Sequence, residues 1–206
     1  QKAVRADKEV YCAEDERIAD TDHSNYTPAD WHLKVPTLGE MMKAANPASR
    51  VVSVAGKDRA AIMMGGHKID EVWFWGGKNF ISYAGRVAPP AVQRGQEAVA
   101  KLIAQPQEPL PVPGFCRPLM QPITVGGQTT GNTRFARDAG DTRAFRASPA
   151  LDGAVFAIAA GLIQDMKLGQ GSAPDIISIG ASATDYIGHG YGPGGGEMCL
   201  QMAELD

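Results

Sequence analysis

Two apolar segments near the end of the chain constrain its fold more than any other feature. Residues 152–167 are apolar on much of a helical circumference and stop just before Gly169, which predicts a buried helix. After a loop that contains Pro174, residues 176–181 form a short apolar run, which predicts a buried strand. Because a helix, a short loop and an apolar strand in succession are typical of α/β proteins, we predict a mainly parallel sheet.

The first half of the chain contains elements of the same kinds. Thr37 precedes Glu40 by three residues, a capping-box pattern that predicts the start of a helix ending near Ala45. Residues 50–55 are rich in β-branched side chains and lie between a proline and a glycine, so we predict a buried strand there. Residues 71–75 form a second, shorter candidate strand.

The remaining segments are more varied. Residues 60–64 are expected to extend the apolar layer, and residues 91–104 have a composition that favours a helix. Six prolines in residues 106–122 predict an irregular connection, so we expect an insertion or cap over about residues 85–147. Residues 197–206 have apolar positions spaced by four and three, which predicts an amphipathic helix.

Charge and hydropathy disfavour two classes of partner. The 206 residues carry a formal net charge of −3 and have a sequence pI near 5.8, so nothing indicates binding to nucleic acid or to an anionic membrane. The longest apolar stretch, residues 154–163, is about half of the roughly 18 residues that span a bilayer.

The first 30 residues are acidic and are predicted to form a solvated surface segment. The oligomeric state is not indicated.

The three cysteines Cys12, Cys116 and Cys199 lie far apart, without Cys-x-x-Cys spacing. Their odd number fits free thiols, or a disulfide whose partner lies outside these residues. The default prediction is that they are buried, unreactive thiols. They do not indicate a cellular compartment.

Two potential metal ligands follow the predicted strand at residues 176–181. Asp185 and His189 are four residues apart, so a helix would place both side chains on one face. A carboxylate oxygen and an imidazole nitrogen are both good ligands for Zn²⁺. A surface carboxylate next to a hydrogen-bonded histidine fits the same pattern, and no third ligand is obvious. The other histidines lie in segments with no visible relation to this one: His23, His32 and His67.

Two cations follow the predicted strand at residues 50–55. Lys57 and Arg59 stand where ligands collect in parallel sheets, just beyond the carboxyl end of a strand. Arginine offers a planar fork and lysine a compact point charge, so the pair could hold a phosphate, although a solvated charged turn is the alternative. Gly56 and Lys57 do not belong to a P-loop, because the rest of that motif is absent.

The residues around both pairs resemble one known family. Residues 182–193 read Ser-Ala-Thr-Asp-Tyr-Ile-Gly-His-Gly-Tyr-Gly-Pro, with Glu197 beyond. They are similar to the S-x-x-D-Y-x-G-H-x-x-G-P…E segment of the alkaline phosphatase superfamily, in its type I phosphodiesterase/nucleotide pyrophosphatase-like branch. Residues 51–62, followed by glycine and His67, resemble the S-x-K-D-R-x-A-I…G-H block of that branch.

The resemblance implies a partial alkaline phosphatase-like domain over residues 1–206. The family's fold is a three-layer α/β/α arrangement around a mainly parallel sheet, incomplete here because the family's chain extends beyond both ends. Residues 8–15 resemble the polar stretch that follows the family's nucleophile. Members of this kind use two zinc ions, and the resemblance also implies a periplasmic or secreted location.

The resemblance further implies roles for single residues. In the family, the residues matching Asp185 and His189 bind one of the two zinc ions, and in monoesterases those matching Lys57 and Arg59 contact the phosphate oxygens. The implied reaction is hydrolysis of small phosphate monoesters through a covalent phosphothreonine. The threonine nucleophile and the other zinc ligands have no counterpart in this chain, so the chain alone is expected to be inactive.

Three other interpretations of the sequence are possible. A phosphodiesterase or nucleotide pyrophosphatase of the same superfamily shares most of these motifs, but its members generally lack the pair at Lys57 and Arg59. A non-catalytic binding or structural module could have kept the fold. A dinucleotide-binding domain is disfavoured because no G-x-G-x-x-G motif follows a strand.

Two further residues of these motifs have expected structural roles. We expect Asp58 to orient its neighbours and His67 to pack or form hydrogen bonds.

Overall fold

The computed structural model of the chain describes residues 11–18 and 26–206. Its helices are α1 (Leu38–Ala45), α2 (Asp58–Gly65), α3 (Pro90–Ile103), α4 (Thr142–Arg146), α5 (Pro149–Asp165), α6 (Ala183–Tyr191) and α7 (Gly196–Leu205). Its strands are β1 (Val51–Ala55), β2 (Glu71–Trp75), β3 (Phe80–Ile81), β4 (Ile123–Val125), β5 (Gln128–Thr130) and β6 (Ile176–Gly180), and a 3₁₀-helix covers Gly114–Leu119. None of the helices among these described residues could span a bilayer.

Four strands form a mainly parallel sheet in the order β3-β2-β1-β6. The central strand β1 pairs in parallel with β2 on one side and β6 on the other, so Ser53 lies between Val72 and Ser178. The short strand β3 is antiparallel to β2, and β4 and β5 form a separate hairpin. This arrangement confirms the predicted α/β fold. It also places the carboxyl ends of β1, β2 and β6 at one edge of the sheet.

Helices cover both faces of the sheet. Successive side chains of a strand point to opposite faces, and β1 divides accordingly. Val52 and Val54 belong to a core cluster that includes α3 and α5, whereas Val51 and Ala55 pack in a second cluster with α2. All residues of β1 are buried, as expected for a strand inside an α/β sheet. The two clusters account for the three predicted layers.

Local capping sets the boundaries of α1. The Thr37 backbone N–H donates to the Glu40 carboxylate at 2.9 Å, and the Thr37 side chain accepts from the Glu40 backbone N–H. The predicted capping box and the predicted end at Ala45 are therefore confirmed. Residues 60–64, expected only to extend the apolar layer, form most of α2.

The segment expected to be an irregular insertion is irregular only in part. Helix α3 is regular, and its side chains Val92, Val99 and Ile103 are buried in the cluster that includes α5. The proline-rich residues 106–122 contain the 3₁₀-helix, and the β4–β5 hairpin and the short helix α4 follow them. Regular structure therefore resumes where the prolines end.

Strand β6 is less buried than predicted. In the described part of the chain it lies at the edge of the sheet and pairs with β1 alone. Its residues are only partly buried, and Ile179 is 38% exposed. An edge strand is open on one side, and its apolar sequence does not distinguish it from a central strand.

The acidic N-terminal segment contains buried carboxylates, so the prediction of a solvated surface was wrong for part of it. Glu14, Asp15 and Glu16 are buried. Asp15 Oδ2 lies 2.6 Å from an Arg17 guanidinium nitrogen, and Glu16 Oε2 lies 2.7 Å from His32 Nε2. These partners make burial of the charges tolerable. The rest of the predicted acidic segment lies outside the described residues.

Two of the cysteines form a disulfide, which corrects the prediction of buried free thiols. Cys116 in the 3₁₀-helix is bonded to Cys199 in α7, across 83 residues. Cys12 is free, and it is exposed instead of buried. The spacing pattern could not reveal the bond, because its two ends meet only through the packing of the 3₁₀-helix on α7.

A partly buried ion pair joins the starts of β1 and β6. Asp175 accepts hydrogen bonds from the backbone and guanidinium of Arg50, at 2.9 Å and 2.6 Å, and from the backbone of Gly169 at 2.8 Å. The Asp175 side chain is only 5% exposed. The hydrogen bonds from Arg50 lower the pKa of Asp175 to about 2.

Replacing Asp175 with alanine is expected to lower the free energy of unfolding by about 2–3 kcal/mol at pH 7, because Arg50 and Gly169 lose a buried acceptor. Since the pKa is lowered in the folded protein, the stabilisation is complete above about pH 4 and is lost as the pH falls towards 2. Urea denaturation at pH 7 and pH 3 measures both effects. Asp165→Ala, which breaks an exposed pair with Arg94, serves as control and should cost less than about 1 kcal/mol. Equal losses in the two variants would contradict the prediction.

Candidate functional site

The loops after β1 and β6 meet at the carboxyl edge of the sheet. The Gly56 backbone N–H donates to the Gly180 carbonyl at 3.1 Å. A Cβ on Gly56 would lie 2.8 Å from side-chain atoms of Leu151 and Ser182, so only glycine permits this close approach. The neighbouring residue Lys57, the N-cap residue of α2, is thereby directed towards α6.

Lys57 contacts the first candidate metal ligand directly. Its Nζ donates a hydrogen bond to Asp185 Oδ2, although the two residues are 128 positions apart in the sequence. This hydrogen bond lowers the pKa of Asp185, so its carboxylate is ionised at neutral pH. The structure therefore brings together the two segments that sequence analysis selected separately.

Asp185 and His189 lie on one face of α6, as predicted from their spacing. His189 Nε2 lies 3.6 Å from Asp185 Oδ2, and the two side chains are 79% and 49% exposed. An accessible imidazole nitrogen next to an ionised carboxylate is a suitable donor pair for a divalent cation such as zinc. In the ranges 11–18 and 26–206, no group of three or more His, Cys, Asp or Glu residues could hold a metal ion. The pair fits part of a zinc site.

A buried carboxylate that sequence analysis missed holds the start of α6. Asp152, on α5, is 2% exposed and accepts hydrogen bonds from the Ala183 backbone and the Gln201 side chain, each at 2.9 Å. Gln201, on α7, also donates to Thr184 Oγ1 at 3.2 Å. Burial raises the pKa of Asp152. An acid in the first turn of a strongly apolar helix was the available signal. Three helices, α5, α6 and α7, meet at this carboxylate.

Arg59 lies in the first turn of α2 and is held by acidic and aromatic neighbours. Asp58 Oδ1 accepts from the Arg59 backbone N–H at 2.7 Å, and Arg59 NH1 donates to Tyr11 Oη. Tyr26 Oη donates to Asp58 Oδ2, and burial, together with this bond, raises the pKa of Tyr26. Asp58 was expected to orient its sequence neighbours, and the contacts described here are with one of them, Arg59, and with the distant Tyr26.

Two cations contact the aromatic ring of Tyr186. Lys57 Nζ and Arg146 Cζ each lie 4.7 Å from its ring centroid. A cavity of about 480 Å³ beside this ring is also lined by Arg59, Trp75 and Tyr26. Sequence analysis identified neither Tyr186 as a contact nor Arg146 as a neighbour of the site, because Arg146 lies in a segment without a clear pattern.

The other predicted residues have structural partners. His67 Nε2 lies 3.2 Å from the Leu33 carbonyl and its Nδ1 lies 3.1 Å from Asp30, so the expected hydrogen bonding is confirmed. Glu197 is 1% exposed and accepts from the Thr133 backbone at 2.7 Å. His23 and the beginning of the stretch at residues 8–15 lie outside the described residues.

The chain is similar in sequence to several alkaline phosphatases. It is 51% identical over 205 residues to alkaline phosphatase PhoK of Sphingomonas sp., which covers 99% of this chain and 37% of that protein. It is 47% identical over 206 residues to alkaline phosphatase PhoD of Zymomonas mobilis, covering 98% and 35% respectively. For alkaline phosphatase PhoV of Synechococcus elongatus, the identity is 27% over 216 residues, covering 97% and 39%. No protein-family profile matches the chain.

Solved structures show the same fold. The chain superposes on the wild-type alkaline phosphatase PafA with a TM-score of 0.73 and 23% identity, covering 96% of this chain and 42% of PafA. A PafA variant with four substitutions gives a TM-score of 0.75 and 24% identity over the same shares.

These similarities agree with the parallel sheet and with the motifs at its carboxyl edge. They confirm the resemblance to the alkaline phosphatase superfamily that was recognised in the sequence. It spans between about a third and two fifths of the length of the relatives compared above.

Proposed function

We propose that the gene product containing this chain is a zinc-dependent phosphatase that hydrolyses small phosphate monoesters. The observation that carries this proposal is the contact between Lys57 and Asp185, because it unites a candidate phosphate clamp with a candidate metal ligand at one edge of the sheet. The relatives named alkaline phosphatase support the same reaction class.

Lys57 and Arg59 bind the phosphoryl group in this proposal. Both follow the carboxyl end of β1, and Arg59 offers a guanidinium fork suited to two phosphate oxygens. In the PafA variant, the substituted residues include a lysine and an arginine two positions apart, which is the spacing of Lys57 and Arg59. The clamp stabilises negative charge on the oxygens of the transferring group.

Asp185 and His189 hold one of two zinc ions in this proposal. When bound, zinc supplies positive charge that polarises the phosphoryl group and stabilises the leaving oxygen. Asp185 is ionised and His189 is accessible, so both can donate an electron pair without rearrangement of α6. Further ligands are required for a catalytic zinc site, and we assign these and the threonine nucleophile to segments beyond these residues. The 206 residues alone are accordingly expected to release no phosphate.

The location proposed for the gene product is the periplasm or the cell exterior. The bond between Cys116 and Cys199 supports this, because disulfides persist mainly in oxidising compartments.

Replacing Arg59 with alanine in the gene product is expected to lower kcat/KM for p-nitrophenyl phosphate by about 10- to 100-fold, because a charge-assisted hydrogen bond to the phosphate is lost. Hydrolysis of bis-p-nitrophenyl phosphate should fall less, since a diester has one fewer free oxygen for the clamp. Arg94→Ala removes an exposed arginine from α3 and is the matched control. A parent enzyme that hydrolyses the diester faster than the monoester would overturn the proposed specificity in favour of a phosphodiesterase.

A further inference from the structure

The cavity next to the phosphate clamp contains a cation that the proposed function does not use. Arg146, the last residue of α4, lines the cavity of about 480 Å³ together with Arg59 and Tyr186. Its guanidinium carbon lies 4.7 Å from the centroid of the Tyr186 ring. Among the described residues, no carboxylate pairs with Arg146. Its charge is therefore available to a ligand.

Arg146 lies within reach of a substrate held by the clamp. Lys57 Nζ is 4.7 Å from the same ring centroid. The charges of Lys57 and Arg146 therefore cannot be farther apart than twice that distance. A small aryl ester held by its phosphoryl group at Lys57 is long enough to reach Arg146.

The walls of the cavity suit such an organic group. Trp75, Tyr26 and Tyr186 supply aromatic surface on which a planar group can stack. Gly76 and Gly77 line the cavity at the carboxyl end of β2, and a Cβ on Gly77 would meet no atom within 4 Å. The cavity is thus open at the edge where β1, β2 and β6 end.

The presence of Arg146 at the end of α4 does not by itself explain why this arginine lines the cavity. A cation near the end of a helix interacts favourably with the last carbonyl groups. Arg143 lies in the same short helix and is also basic, but it does not line the cavity. The two arginines therefore form a matched pair that differs in access to the site.

We propose that Arg146 binds a second anionic group on the leaving group of the substrate. The substrates would then be phosphate monoesters of alcohols that carry a further carboxyl or phosphoryl group. This assignment rests on the proposed function of the same site. A guanidinium fork recognises both groups through paired hydrogen bonds, and the Tyr186 ring holds the guanidinium in place through a cation–π contact.

The test compares kcat/KM of the gene product that contains this chain for two matched esters, 4-carboxyphenyl phosphate and 4-carbamoylphenyl phosphate, whose leaving group carries no second charge. The kcat/KM for the carboxylate is expected to be about tenfold higher, as one charge-assisted contact predicts. Arg146→Gln should abolish this preference, whereas Arg143→Gln, the same change in the same helix, should retain it. A third ester, 1,4-phenylene bisphosphate, shows whether a phosphoryl group is preferred to a carboxyl group.

Several outcomes would overturn the assignment. These are equal kcat/KM for the two matched esters, a preference that survives in Arg146→Gln, and a preference lost equally in Arg143→Gln, which would reflect overall charge. Phenyl phosphate separates this failure from failure of the proposed function. If the gene product hydrolyses it in a manner that depends on Lys57, the clamp stands and only the second subsite is rejected. If the gene product hydrolyses none of the esters, both are rejected.

Discussion

Replacing Asp185 with asparagine is expected to lower kcat/KM for p-nitrophenyl phosphate by about 10²–10³-fold in the gene product that contains this chain. Asparagine keeps the shape of the side chain but removes the negative charge that would hold a divalent cation next to His189. It also leaves the Lys57 ammonium without its anionic partner. Loss of one group that stabilises charge at a reacting centre has effects of this size.

The loss should arise without unfolding. The Asp185 side chain is 49% exposed, and an ion pair so accessible to water contributes less than about 1 kcal/mol to stability. The measurements are kcat/KM, the zinc content of the purified protein and its thermal denaturation. Asp165→Asn, which neutralises an aspartate paired with Arg94 on the surface, is the control and should leave all three unchanged. An Asp185→Asn protein with full activity and full zinc content would contradict the assigned role.

Replacing both Cys116 and Cys199 with serine is expected to lower the free energy of unfolding by about 4 kcal/mol. The disulfide closes a loop across 83 residues, and restriction of the unfolded chain by a loop of this length is worth about that much. The bond also secures α7, where Gln201 donates to Asp152. We therefore expect α6, whose first turn is held by Asp152, to lose order with it.

Urea denaturation of the parent, with and without a reducing agent, measures the effect of the disulfide. The reduced parent should match the double variant. Cys12→Ser is the control, because Cys12 is exposed and unbonded, and its change should stay within about 0.5 kcal/mol. If reduction leaves the parent's denaturation midpoint unchanged, the disulfide does not stabilise the fold.

The elements predicted most accurately are those with local signals. Helix α1 begins and ends where Thr37, Glu40 and Ala45 indicated, and β2 occupies the residues predicted for it. Capping and β-branched runs act within a few residues, so a pattern is sufficient to find them. Residues 60–64 formed a helix instead, because a short apolar run has no distinctive period.

Features that depend on distant contacts were not predictable in the same way. The burial of Glu14 and Glu16 depends on partners brought together by folding, such as His32 for Glu16. The exposure of Ile179 depends on which strands lie beside β6. No composition or spacing rule contains this information.

The residues of the candidate site differ in the same way, because only some of them follow a local sequence pattern. Lys57, Arg59, Asp185 and His189 could be selected because each follows a recognisable strand and matches a family motif. Arg146 could not, since it reaches the site from a helix in a segment without periodicity. Asp152 and Tyr186 were likewise identified only from their contacts.

The sequence by itself determined the alternation of helices and strands, the capping of α1, and the chemical groups that follow the carboxyl ends of β1 and β6. Only the tertiary structure decided that these ends are adjacent, so that Lys57 meets Asp185 across 128 residues. The physical reason is that local backbone preferences act over a few residues, whereas the order of strands in a sheet results from the burial of apolar side chains throughout the chain.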